Sequence, residues 1–193
     1  MINEASIEAQ NHGRPVLYYF FDHSFRSHLT ARSLFESYTK QLLYYLDSIQ
    51  KSCPRHIITQ IFDFYGPNKR PPSLDEVVDE LVLPLSTEAE CTFIVDGVDE
   101  CDTKETQEVL RTFKKLLAAP SCRVLIACRE EVDIIRRIPG STRIRITPEK
   151  SKADMKDFIG RKLEDMQSHR RISESEDMLT YIEQELMKRA DHM

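Results

Sequence analysis

TFIVDGVDECD, residues 92–102, decides how the rest of the chain is read. Thr92, Phe93, Ile94 and Val95 have strand character, and they run straight into Asp96, Asp99, Glu100 and Asp102, with Gly97 at the joint. In a parallel sheet ligands collect at the carboxyl ends of strands, which is where this cluster would stand. Carboxylates there can hold the water shell of a Mg²⁺ ion, which takes one or two of them together with substrate phosphates. One carboxylate can also orient or deprotonate a water that attacks a γ-phosphate. The same residues fit a plainer role as the acidic start of a helix, with Asp102 and Thr103 leading into it.

Around this stretch the chain alternates between strand and helix patterns. VLYYFF, residues 16–21, is short, β-branched and aromatic, and reads as a buried strand. Residues 123–127 and 143–146 read as two further strands. Thr30 caps a helix whose stripe is Leu34, Phe35, Tyr38, Leu42, Tyr45, Leu46 and Ile49. A shorter helix covers residues 55–62, and GPNKRPP, residues 66–72, breaks the pattern as a loop. Ser73 and Glu76 form a capping box for the next helix, which Pro84 is expected to stop. The helix over residues 104–118 turns Val109, Leu110, Phe113, Leu116 and Leu117 inward, and another covers 130–138. Ser151 caps a helix through Met166, and Ser173 with Glu176 caps one carrying Leu179, Ile182 and Leu186. This order predicts an α/β architecture: a parallel sheet of about four strands with covering helices and a helical tail. Residues 1–150 form the core and 151–193 the tail.

Composition narrows the function classes. The 193 residues are 40% hydrophobic and 31% charged, enough for a core, and the net charge is −5. That balance gives no drive toward nucleic acid or anionic membrane. No apolar run approaches the roughly 20 residues that span a bilayer. MINEASIEAQ lacks the basic and apolar regions of a signal peptide. Cys53, Cys91, Cys101, Cys122 and Cys128 contain no CxxC pair, which fits free thiols in a reducing cytoplasm. Cys91, Cys101, Cys122 and Cys128 are expected as buried thiols near the strand ends. His12, His23, His28, His56, His169 and His192 show no metal spacing. Arg136, Arg137, Arg143 and Arg145 read as a solvated face, since no aromatics interleave. The aromatics at Tyr18, Tyr19, Phe20, Phe21, Phe35, Tyr38, Tyr44 and Tyr45 sit at strand or helix spacing and are expected in the core.

FIVDGVDECD resembles the Walker B segment of NACHT-type P-loop NTPases, a branch of the STAND signalling ATPases. The likeness is to the nephrocystin-like N-terminal group common in fungal repeat proteins. VLYYFFDHSFRSHLTARSLFESYTKQLL is similar to that group's second strand and following helix, and RVLIACREEVDI to its sensor-one strand. RITPEKSKADMKDFI is similar to its fifth strand and next helix, and LMKRADHM to the start of the motif leading toward a winged-helix region. The resemblance implies a nucleotide-driven switch with Mg²⁺ and ATP or GTP as cofactors. Asp96 would then be the Mg²⁺ carboxylate, Asp99 or Glu100 the water-positioning acid, and Arg129 the γ-phosphate sensor. It also implies protein partners, flanking effector and repeat domains, and oligomerisation where the domain is complete. From the residues alone, Arg129 ends a strand beside the acidic one, so its guanidinium could reach phosphate oxygens in a bidentate way. The plainer alternative is a surface arginine at a helix start.

Phosphate binding of this kind needs GxxxxGK[ST], whose backbone N–H groups and lysine hold the phosphates. The glycines are Gly13, Gly66, Gly97, Gly140 and Gly160, and none is followed by Lys-Ser or Lys-Thr. The resemblance places that loop a few tens of residues ahead of VLYYFFD, with residues 1–10 at most the back of its helix. It also places the P-loop strand between the strands at 123–127 and 143–146. The expectation is a fragment cut through a domain at both ends, with unpaired strand edges and no NTPase activity alone. The alternative is a non-catalytic interaction or scaffold remnant.

Overall fold

Three short runs rich in β-branched, aromatic and aliphatic residues set up the sheet. The structure, a computed structural model, describes residues 14–22, 24, 29–67, 69–129, 134–169 and 175–190. β1 (Val16–Phe20), β2 (Cys91–Asp96) and β3 (Cys122–Ala127) lie side by side, all parallel, with β2 in the middle. Phe20 stands against Asp96, and Asp96 against Ala127. Leu17, Phe93, Val95 and Cys122 are buried on one face, while Tyr18, Phe20 and Leu125 are about half exposed on the other.

The connection from β1 to β2 carries α1 (Ala31–Ser48), α2 (Arg55–Tyr65), α3 (Leu74–Val77), a π-helical turn (Val78–Val82) and α4 (Leu83–Thr87). Thr30 caps α1, its hydroxyl accepting the Ser33 N–H at 3.1 Å. Ser73 and Glu76 form the reciprocal capping box at the start of α3. Between β2 and β3 runs α5 (Thr103–Leu116), capped by Asp102, which accepts the Glu105 N–H at 2.8 Å. α1 and α5 bury their apolar stripes over the covered sheet face. Phe35 of α1 meets Phe113 of α5 edge-on with ring centroids 5.4 Å apart, and Tyr38 of α1 meets Phe93 of β2 in the same way at 5.1 Å. Such ring pairs add about 0.5–1.5 kcal/mol beyond the area they bury. The Tyr38 hydroxyl donates to the Ile94 carbonyl at 2.8 Å, which satisfies it in the core. Burial holds that phenol protonated well beyond the usual tyrosine range.

The outer edge of β1 is closed at its midpoint by a side chain. Gln41 from α1 accepts the Tyr18 N–H at 3.0 Å and donates to the Tyr18 carbonyl at 2.9 Å. One amide thereby stands in for the next strand.

The chain divides between Ser141 and Thr142 into two units. α6 (Ile134–Arg137) closes the first. The second holds α7 (Pro148–Ser168) and α8 (Glu176–Ala190), bridged by a Lys156–Glu183 ion pair. Ile159 is its buried residue among those described, with Leu179 and Ile182 half-buried and Leu186 exposed.

Several expectations are corrected. The strand at 143–146 does not form: residues 141–147 have no regular structure, and Ile144 and Ile146 are 83% and 72% exposed. A strand is held by its ladder, and no described segment pairs with this one. The sheet therefore has three described strands rather than four. Pro84 does not stop its helix. The Leu83 N–H reaches back five residues to the Val78 carbonyl, and this wide turn lets proline enter α4 without the bond it cannot make. Ser151 lies inside α7, donating to the Thr147 carbonyl at 3.2 Å; Thr147 is the cap residue, ahead of Pro148. Leu117, Tyr18, Phe20 and Tyr44 are exposed rather than inward. Cys91, Cys101 and Cys122 are buried free thiols, and Cys128 is half-buried. The readings placed on residues 1–10, Gly13, His12, His23, His28, His192, Ser173 and the helix start at Glu130 lie outside the described residues.

Candidate functional site

The sharp turn after β2 brings the polar groups together. Asp96 ends the strand with its side chain exposed. Gly97 follows in the left-handed region at φ 75° and ψ 29°. A Cβ there would sit 2.9 Å from the Phe21 carbonyl oxygen, so backbone conformation and close approach both require glycine. Phe21 N–H donates to the Asp96 carbonyl at 3.0 Å, and Gly97 N–H to the Ala127 carbonyl at 3.1 Å. The carboxyl ends of all three strands are thereby tied at one edge.

A single 3₁₀ turn, Val98–Glu100, continues from Gly97 and buries Val98. It aims Asp99 at the end of β3. Asp99 Oδ1 accepts the Arg129 backbone N–H at 3.2 Å, and Oδ2 lies 3.4 Å from Arg129 Nε. The Asp99 side chain is 12% exposed and that of Arg129 77%. Glu100 is half-buried, and its N–H donates to the Gly97 carbonyl at 2.8 Å. Cys101 is buried beneath the turn. Burial, then the nearby Glu105, Asp102, Asp99 and Glu100 carboxylates, push its thiol up to about 12, so it stays protonated at neutral pH.

Two further contacts fasten this loop. Glu105 accepts the N–H of Ala31, the first residue of α1, at 2.7 Å. Thr106 donates its hydroxyl to the Val98 carbonyl at 3.2 Å. The carboxylate of Glu105 thus caps a helix other than its own. Its spacing from Asp102 suggests a capping box in α5, and no local signal reveals a partner 74 residues away in sequence.

Of the residues expected here, the structure joins Asp99 to Arg129 and sets Asp96 level with the end of β3. No ion pair links Asp96 to Arg129 among the described residues. Nor does any group of three or more His, Cys, Asp or Glu side chains among them converge as metal ligands. The exposed carboxylate of Asp96 fits the one-carboxylate share that Mg²⁺ takes beside phosphates and water. Asp99 does not fit that role, because Arg129 engages both its oxygens.

The class defined so far is an α/β chain whose central parallel strand ends in carboxylates met by an arginine from its neighbour, at the edge where such sheets hold ligands. The chain belongs to the nephrocystin 3 N-terminal family, whose model matches residues 1–129 and so covers Asp96, Asp99, Glu100 and Arg129. No curated protein and no solved structure matches it significantly. No helix among the described residues is long and apolar enough to cross a membrane.

Proposed function

We propose that these residues belong to a nucleotide-binding signalling switch of the NACHT type, and that they do not turn over nucleotide by themselves. One observation carries the reading: the parallel register of β2 and β3 gathers Asp96, Asp99, Glu100 and Arg129 at a single carboxyl edge. Membership of the nephrocystin 3 N-terminal family supports it. Asp96 would hold Mg²⁺ through its exposed carboxylate, and the metal would supply neutralisation of the phosphate charge of ATP or GTP. Arg129 presents a guanidinium to a terminal phosphate from the neighbouring strand end. Glu100 orients the attacking water. The sequence contains no GxxxxGK[ST], so these residues lack the backbone cradle and lysine that hold the phosphates.

The test places these residues in a chain that carries a GxxxxGK[ST] loop ahead of them and measures Mg²⁺-dependent ATP and GTP binding and turnover. Asp96→Ala lowers turnover by about 100-fold, the scale of losing a principal electrostatic contact in phosphoryl transfer. Unchanged affinity and turnover in that variant would sink the reading. The 193 residues alone give no Mg²⁺-ATP turnover; activity abolished by Glu100→Ala would overturn that half.

The open sheet face favours a second reading, a non-catalytic interaction module that binds protein partners through Tyr18, Phe20 and Leu125. It predicts that substitutions at these three positions abolish partner binding while Asp96→Ala leaves it intact.

A further inference from the structure

The two acids that the sequence leaves interchangeable, Asp99 and Glu100, stand in different surroundings. The geometry points to Asp99 as a positioning residue for Arg129, one that holds the guanidinium by its Nε edge so that both terminal nitrogens face solvent as a fork for a phosphoryl oxyanion. This deepens the nucleotide reading above and rests on it.

Asp99 makes two contacts with one residue: its Oδ1 takes the Arg129 N–H and its Oδ2 faces Nε. The first fixes the backbone where β3 ends, and the second fixes the side chain that leaves it. The carboxylate is largely buried, so it is poorly placed to take a proton from a water in the open site. Among the described residues Arg129 has no other hydrogen bond or ion pair, and its side chain is 77% exposed. A guanidinium has five N–H donors in a rigid fork. With the Nε edge turned to Asp99, the two terminal nitrogens keep the paired donors that match two oxygens of a phosphate. A carboxylate bound instead to those terminal nitrogens would compete with the phosphate.

The turn makes this arrangement possible. Gly97, in its left-handed conformation, and the 3₁₀ turn behind it swing Asp99 away from the end of β2 and over the end of β3. Asp96 remains on the exposed side of β2. Three consecutive tasks thus fall to three acids: Asp96 to the cation, Asp99 to the arginine, and Glu100 to the water.

The test uses the 193-residue chain and its Asp99→Asn variant, which keeps an acceptor for the backbone N–H and drops the charge facing Nε. The Arg129 Nε–Hε NMR signal is expected to be ordered in the parent chain and motionally averaged in the variant. Titration with inorganic tripolyphosphate is expected to shift the Arg129 side-chain signals, and Asp99→Asn to require about fivefold more ligand, the scale of one partly screened charge-assisted contact. In an Arg129→Lys background, which keeps the charge and lacks Nε, Asp99→Asn is expected to leave the affinity level or raise it. Equal ordering of Nε in both chains overturns the proposal, as does the same loss in the lysine background. If Asp99→Asn fails to fold, Arg129→Lys decides: binding as tight as the parent's overturns the positioned fork. Failure of the nucleotide reading is separate: it shows as an Asp96→Ala variant with unchanged nucleotide affinity while Nε ordering still depends on Asp99.

Discussion

The two faces of the sheet are made by the same three strands and meet opposite fates. On one face Leu17, Phe93 and Val95 are 1% exposed or less beneath α1 and α5. On the other, Tyr18, Phe20 and Leu125 are 45%, 48% and 52% exposed. The residues differ little in hydrophobicity, so apolar character alone does not decide burial. What differs is the covering: the helices between successive strands supply ring layers to one side only. Parallel sheets are ordinarily covered on both faces, so the exposed side chains of the open one are the feature that sets this sheet apart.

The largest test of this contrast pairs one substitution from each face. Phe93→Ala is expected to destabilise the fold by about 3–5 kcal/mol in urea unfolding, the cost of an aromatic cavity in a closed core. Leu125→Ala on the open face is expected to stay within about 0.5 kcal/mol of the parent. Comparable losses at the two sites would erase the distinction.

Gly97→Ala comes next, at about 2 kcal/mol, from the left-handed backbone and the new contact with the Phe21 carbonyl oxygen. A thermal midpoint equal to the parent's would show that the turn relaxes freely. Tyr38→Phe removes the hydroxyl that donates to the Ile94 carbonyl in the core, and about 1 kcal/mol is expected to go with it. A neutral result would mean that the β1–β2 ladder alone satisfies the carbonyl.

The smallest effect is in pH dependence. Burial, and then Cys122 beside it, push the Cys91 thiol up to about 12, and burial with four carboxylates does the same to Cys101. A folded pKa raised above the unfolded value gives stability that is present below about pH 9 and lost as pH climbs toward 12. Unfolding free energy measured across that window is expected to fall, and less steeply in Cys91→Ser. A flat profile would place the thiols in contact with solvent.

Much of this was legible locally. The caps at Thr30 and Asp102, the capping box at Ser73, and the stripes of α1 and α5 follow from side chains within a turn or two of each other. The acidic cluster and Arg129 were legible as well, because strand ends followed by polar residues mark the carboxyl edge of a parallel sheet. The strand expected at 143–146 was not, since its alternation describes a preference that only a neighbouring strand can realise. Pro84 was misread for a related reason: its cost depends on whether the preceding turn can widen.

By itself the sequence determined the order of the three described strands, the caps at Thr30, Ser73 and Asp102, the glycine turn after β2 and the family to which the chain belongs. These rest on short-range periodicity and backbone restriction, which a linear string carries in full. Only the tertiary structure decided which sheet face stays open, which strand goes unformed, and that Asp99 rather than Glu100 holds Arg129. Those outcomes depend on register and burial between segments far apart in the chain, where a shift of one residue sends a side chain to the opposite face.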